Sequence, residues 1–162
     1  MSDNYYELKN KLSSLQNIRA YVNSDVVWYR HYDVDVIEIP NIILENDIVL
    51  ETLSSKFKLT PLVIRFDSKK WHRWHVDAVR NVGLNSIVQG AVGHTVFGVP
   101  NKDGHYYEID EVIYKNDNVI LLDVTKQHSI LNLGEPRVVF TIGFPKTVMY
   151  NEVKNFCIEN NL

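Results

Sequence analysis

The stretch "LLDVTKQHSILNLGEPRVVFTIGF", Leu121 to Phe144, decides how the fold is read. Two apolar, β-branched runs, "LLDV" and "RVVFTIGF", read as strands, and "NLGEPR" between them carries the Asn, Gly and Pro of a hairpin connection. His128 stands where one apolar strand ends and another begins. Outward from here the pattern repeats. "VVWYRH", "VDVIEI", "LVIRF", "VGLNSIV", "HTVFGV", "YYEIDEVIY" and "NVILLDV" are short strand-like runs separated by Gly, Asn, Asp and Pro breaks. "PNKDGH" and "KNDN" hold residues that tolerate tight-turn dihedrals. Such spacing predicts an antiparallel barrel or sandwich. At the two ends the periodicity changes. Leu8, Leu12, Leu15 and Ile18 predict an amphipathic helix over Tyr5 to Ile18, with Asp3 or Asn4 as its cap. After Pro145, "KTVMYNEVKNFCIENNL" predicts a closing helix with Val148, Val153, Phe156 and Cys157 on one face.

The chain has 162 residues, 45% of them apolar, enough for one domain with its own core, and no repeat or linker interrupts it. A net charge of −3 offers no basic footprint for nucleic acid. Cys157 is the single cysteine, which excludes an internal disulfide or a cysteine-rich zinc site and suits a reducing compartment. "MSDNYYELKNKL" lacks a signal core, and no apolar run approaches membrane-spanning length. The expectation is a cytoplasmic protein without a membrane partner.

Chemistry concentrates in "WHRWHVDAVRNVGLN", Trp71 to Asn85. If this run is a strand, residues two apart share a side, so His75 and Asp77 aim at one point. A non-haem Fe(II) centre needs two imidazoles and a carboxylate on one face, with the opposite positions open. The strongest third ligand is His128. Nine residues further on, Arg137 enters a strand, where its planar fork can pair with a carboxylate lying deeper than the metal.

"HVDAVRNVGLN", then about fifty residues, then "HSILN" and a strand-leading arginine, resembles the Fe(II)- and 2-oxoglutarate-dependent oxygenase superfamily over Pro61 to Phe144. Within it the chain is most similar to the aspartyl/asparaginyl β-hydroxylase-like branch, including small phage and bacterial members. Some of that branch keep only two histidines, so Asp77 points toward the broader superfamily. The resemblance implies a double-stranded β-helix, the jelly roll or cupin-like fold, flanked by helices. It implies metal ligation by His75, Asp77 and His128, and Arg137 on the distal carboxylate of a 2-oxoglutarate cosubstrate. Arg80 and Asn85 would give polar contacts to cosubstrate or substrate. The implied activity is hydroxylation of a peptide side chain, an amino acid or a small metabolite.

Other readings compete. "RHYDVD" holds a second His-x-Asp pair, His31 and Asp33, and His72, His94 and His105 could form a histidine-only cupin site. A non-catalytic jelly roll or a cupin-type metal isomerase would share the fold without binding 2-oxoglutarate. Asn132 and Asp123 are candidates to orient His128, and Trp28, Trp71 and Trp74 read as core or rim aromatics. No feature specifies the substrate or the oligomeric state.

Overall fold

The structure is a computed structural model and describes residues 3–90, 93–115 and 117–162. The chain opens with strand β1 (Tyr5–Glu7), followed by helix α1 (Leu15–Val22). The helix expected over Tyr5 to Ile18 is therefore shorter and later. Tyr5, Tyr6 and Glu7 pair antiparallel with Leu122, Leu121 and Ile120, and this tertiary pairing overrides the helical spacing of the leucines. Asn4 caps no helix; its carbonyl accepts from the Asp123 amide at 2.9 Å. Leu15, Ile18 and Val22 form the buried face of α1.

Strands β2 (Tyr29–His31) and β3 (Val34–Glu38) form an edge hairpin. Two short helices, α2 (Asn41–Leu44) and α3 (Ile48–Ser54), come next. They fall where no helix was expected. Asp47 starts α3 by accepting from the amides of Val49 at 3.1 Å and Leu50 at 3.2 Å, and Val49, Leu50 and Leu53 are buried. The remaining strands are β4 (Thr60–Phe66), β5 (Lys70–His75), β6 (Val82–Gln89), β7 (His94–Pro100), β8 (Tyr106–Val112), β9 (Ile120–Asp123), β10 (His128–Asn132) and β11 (Arg137–Gly143). Helix α4 (Tyr150–Glu159) closes the chain as the periodicity after Pro145 predicts, burying Tyr150, Val153 and Cys157.

The strands form two antiparallel sheets. The major sheet runs β1-β9-β6-β11-β4-β3-β2 and the minor sheet β5-β10-β7-β8. This is the double-stranded β-helix with flanking helices. The "PNKDGH" turn joins β7 to β8, with Gly104 at φ +78°, a conformation that favours glycine. The "KNDN" turn includes Asn116, which lies outside the described residues; Asp117 and Asn118 complete it.

Strand alternation gives the major sheet two different faces. Val138, Phe140 and Ile142 of β11, with Val82, Leu84 and Val88 of β6, belong to the large apolar core that also contains the buried residues of α1, α3 and α4. A smaller apolar cluster, Phe97, Val112, Tyr114, Ile120, Leu122 and Val124, packs with Tyr5 and Ile87 and joins residues of both sheets. Arg137 and Thr141 alternate with the large-core residues of β11, as Gly83 and Asn85 do on β6. These residues form the candidate site.

Candidate metal centre

His75 is the last residue of β5 and His128 the first of β10, and the two are cross-strand partners. Between them and the pair His72 and Ile130 the register slips, because β5 spends one residue more than β10. This bulge brings His72 and His75 to one side despite their odd spacing, with ring centroids 4.4 Å apart. Asp77 lies beyond the strand. Its amide donates to the Val124 carbonyl at 3.0 Å, and this bond, rather than strand alternation, turns its carboxylate toward the histidines. Neighbouring contacts hold the same loop: the Val124 amide donates to the Asn81 carbonyl, the Asn81 side chain to the Lys146 carbonyl, and the Lys146 ammonium to the Ala78 carbonyl.

One ligating atom from each of His75, Asp77 and His128 lies within 4.8 Å of the others, and among the described residues no other His, Cys, Asp or Glu group does so. Asp77 Oδ1 is 3.5 Å from His75 Nε2 and 3.6 Å from His128 Nε2. Adjacent ligands at bonds of ~2.1 Å in an octahedral shell stand about 3 Å apart, so small movements would let one ion take all three. The ring nitrogens are already sorted. His75 Nδ1 faces the Arg73 carbonyl at 2.7 Å and His128 Nδ1 the Lys126 carbonyl at 2.9 Å. Each Nδ1 therefore carries the proton and leaves Nε2 with its lone pair toward the site. Asp123 instead accepts from the Thr125 amide and hydroxyl, and Asn132 donates to the Asp67 and Glu135 carbonyls, so both serve turns rather than His128.

Burial acts against the charge on Asp77, yet His75 and the guanidinium of Arg80 hold its carboxyl far below the usual carboxylate range. Burial lowers His128 below the ordinary imidazole value. For His75 burial pulls downward too, but Asp77 and the Arg73 carbonyl outweigh it and the net shift is upward. The cluster thus presents a charged carboxylate and one imidazole that burial biases toward neutrality, a donor set suited to a divalent ion.

Arg137, first residue of β11, is 1% exposed, and its Nε and Nη1 have no hydrogen-bond partner among the described residues. Its guanidinium lies 4.7 Å from the ring centroid of Tyr114, and burial pushes its pKa below the usual arginine value. Space for this side chain depends on Gly93, where a Cβ would stand 2.7 Å from Arg137 Cδ and Nη1. A buried cation with idle donors calls for an anion.

A polar chain links the two features. Arg80 Nε donates to Asp77 Oδ2 at 2.7 Å and Nη1 to Thr141 Oγ1 at 2.9 Å. Thr141 donates to Asn85 Oδ1 at 2.6 Å, and Asn85 Nδ2 to the Tyr114 hydroxyl at 3.4 Å. Arg80 and Asn85 are thus brought to the same network as Asp77. Tyr114 and Thr141 complete it, although no sequence signal singled them out; Thr141 follows Arg137 by four residues on one strand, the spacing that puts both on one face.

The competing histidine sets are not assembled. Asp33 pairs with His72 at 2.8 Å while the His31 ring meets Tyr32 edge to face, and His94 pairs with Glu111. Trp71 is 56% exposed, with its indole N–H on Ser129, and Trp28 lies under the Arg65 guanidinium. Two open surface clefts, one by α3 and Pro61, the other around Gly90 and Pro136, include none of the three ligands.

No family model matches the sequence, and no curated protein matches it. Solved structures do match in shape. A prolyl hydroxylase from Trichoplax adhaerens, in complex with a hypoxia inducible factor oxygen degradation domain peptide fragment, superposes with TM-score 0.65 at 11% identity, covering 90% of this chain and 85% of that one. HygX from Streptomyces hygroscopicus, with nickel, 2-oxoglutarate and hygromycin B bound, gives 0.65 at 8% identity, covering 89% and 83%. An oxidoreductase of the 2OG-Fe(II) oxygenase family from Burkholderia pseudomallei gives 0.62 at 12% identity, covering 88% and 84%. The shared fold is the double-stranded β-helix. At these identities the likeness speaks for the fold, and the function rests on the site.

Proposed function

We propose that this chain is an Fe(II)- and 2-oxoglutarate-dependent oxygenase, a single domain over residues 1–162, that hydroxylates a peptide side chain, an amino acid or a small metabolite. One observation carries the reading: two imidazoles and a carboxylate converge in a fold whose inner face also buries an arginine with idle donors. Two histidines with one carboxylate, leaving the opposite positions open, is the donor set of non-haem Fe(II). Bound there with 2-oxoglutarate, the metal supplies the oxygen activation that couples decarboxylation of the cosubstrate to hydroxylation.

The protein's own residues supply geometry. His75 and His128 offer Nε2 because backbone carbonyls take their Nδ1 protons. Arg137 would meet the far carboxylate of 2-oxoglutarate with two N–H donors, a bidentate match that a buried site strengthens. Tyr114 beneath the guanidinium, and Asn85 behind Tyr114, would keep that fork in plane. The resemblance of "HVDAVRNVGLN" and "HSILN" favours the aspartyl/asparaginyl β-hydroxylase-like branch, and the single buried cysteine favours a cytoplasmic setting. Among the described residues no helix is long and apolar enough to cross a membrane.

Purified protein incubated with Fe(II), 2-oxoglutarate and oxygen is expected to release succinate slowly without a prime substrate, and faster with the right one. Absence of both succinate and 2-oxoglutarate binding would sink the oxygenase reading and advance a non-catalytic jelly roll or a cupin-type isomerase. Succinate release across a panel of peptides and amino acids identifies the substrate class.

A further inference from the structure

Asp77 divides its two oxygens between two tasks. Oδ1 faces both histidine Nε2 atoms, at 3.5 and 3.6 Å, whereas Oδ2 is held by Arg80 Nε at 2.7 Å. Arg80 is itself fixed at its other end, since Nη1 donates to Thr141 Oγ1 at 2.9 Å and Thr141 is in turn tied to Asn85. The floor under the guanidinium is made by two glycines that are cross-strand partners, Gly83 of β6 and Gly143 of β11. A Cβ on Gly83 would sit 3.4 Å from Arg80 Cζ, and one on Gly143 3.7 Å from Arg80 Cδ, so the guanidinium lies at van der Waals distance over both glycine positions.

We infer that Arg80 is a positioning residue that keeps Asp77 a one-oxygen ligand, so that the metal retains the open positions a chelating 2-oxo acid needs. The inference rests on the oxygenase reading and assigns Arg80 a task within it. A carboxylate free to rotate can offer both oxygens to a divalent ion and occupy an extra position. A short charge-assisted bond to Oδ2 competes directly with that second contact. Arg80 is also a cation beside a cation site, which disfavours metal binding by simple repulsion. Its removal therefore has a signature unlike that of a lost structural contact. Metal should bind as tightly or more tightly, while the cosubstrate binds worse.

The test measures two affinities on the full chain: Mn(II) by calorimetry, and 2-oxoglutarate to the Mn(II)-loaded protein. For Arg80→Ala the expected result is Mn(II) affinity equal to or above wild type with 2-oxoglutarate affinity lowered about tenfold or more. Thr141→Val keeps the charge of Arg80 but removes the acceptor for Nη1, and should give a smaller loss of the same kind. Added guanidinium ion, at concentrations well below denaturing, should restore part of the 2-oxoglutarate affinity of Arg80→Ala; a variant with a merely disturbed loop would not respond. Mn(II) affinity falling in parallel with 2-oxoglutarate affinity overturns the inference, as does a variant that binds both like wild type. Wild type that binds Mn(II) but no 2-oxoglutarate overturns the oxygenase reading, and this inference with it. If Arg80→Ala melts far below wild type, Thr141→Val carries the same comparison, and its unchanged cosubstrate affinity counts against the proposal.

Discussion

Arg137→Met should make the protein more stable and unable to hold 2-oxoglutarate, and the two effects can be sized separately. The native side chain is 1% exposed and leaves Nε and Nη1 without partners among the described residues. Each buried donor left unpaired costs roughly 1–3 kcal/mol. Against that stands the contact over Tyr114, at 4.7 Å, a cation–π interaction of about 0.5–2 kcal/mol. Methionine fills a similar volume without polar atoms, so the balance is a gain of roughly 0–5 kcal/mol, which spans the ~1–4 kcal/mol found when buried charges are replaced by apolar side chains. For a chain of this size that raises Tm by roughly 2–4 °C per kcal/mol. Cosubstrate binding moves the other way. Two charge-assisted hydrogen bonds at about 1.5–3 kcal/mol each correspond to a loss of roughly a hundredfold to ten-thousandfold in affinity. Thermal melts of the Mn(II)-loaded proteins, with and without 2-oxoglutarate, read both. Wild type at a hundredfold excess over Kd gains about 2.7 kcal/mol from the ligand by linkage, and the variant at the same concentration gains at most about 0.4 kcal/mol. Arg137→Lys, with charge but no planar fork, should fall between. A variant that melts below wild type and still responds to 2-oxoglutarate would refute the argument that the site holds a strained, anion-seeking cation.

His75→Ala and His128→Ala should each abolish Mn(II) binding by calorimetry while circular dichroism stays native; Asp33→Ala should keep metal binding, because Asp33 pairs with His72 and stands outside the three-ligand cluster. Gly93→Ala puts a Cβ 2.7 Å from Arg137 Cδ and Nη1, so 2-oxoglutarate affinity should fall about tenfold or more with Mn(II) affinity unchanged. Acidification should expel the metal before it unfolds the protein. Ligation needs neutral imidazoles, and His75, whose pKa is raised by Asp77 and the Arg73 carbonyl against the pull of burial, takes its proton first. In the metal-free protein a raised His75 adds stability below its unfolded pKa, lost as pH rises through the folded value. The lowered His128 does the reverse, its contribution being present above the unfolded pKa and lost as pH falls through the folded value. The two act on stability in opposite directions whereas protonation of either opposes ligation, so Mn(II) release between about pH 7 and pH 5 should run ahead of any loss of circular dichroism signal; simultaneous loss of both would contradict this.

The sheet strands were legible because short β-branched and aromatic runs such as "VGLNSIV" and "RVVFTIGF" stand between Gly, Asn, Asp and Pro breaks. The N-terminal segment misled for a physical reason. Leu8, Leu12 and Leu15 are all buried, as their spacing suggests, but the partner strand β9 captures Tyr5 to Glu7 before a helix can form. Helix α3 carried a readable cap, Asp47 before "IVLETL", masked by the β-branched residues that follow it. His75 and Asp77 do converge, but through a bulge and the Val124 carbonyl, which are long-range features. Tyr114 looked like any core tyrosine, since its contacts to Asn85 and Arg137 cross the fold.

One strand shows how the fold tolerates such a site. On β11, Val138, Phe140 and Ile142 point into the large apolar core shared with α1, α3 and α4, while Arg137 and Thr141 point the other way. The helices thus shield the face that supplies most of the burial, about 25 cal/mol per Å² of apolar surface removed from water. The opposite face contributes only the small cluster around Phe97 and Tyr114. Polar residues placed there interrupt little of the packing, so a charged carboxylate and an arginine whose Nε and Nη1 have no partner among the described residues can persist without unfolding the sheet. The same alternation ties the parts together: Thr141 lies four residues, two pleat repeats, from Arg137 along the strand and directly opposite Asn85 across it. A carboxylate at one end of this row and an anion-seeking guanidinium at the other are thereby joined by a chain of side-chain hydrogen bonds, ending at Tyr114 against the guanidinium and rooted on two paired strands, which limits their relative movement, as a ligand gripped at both ends requires.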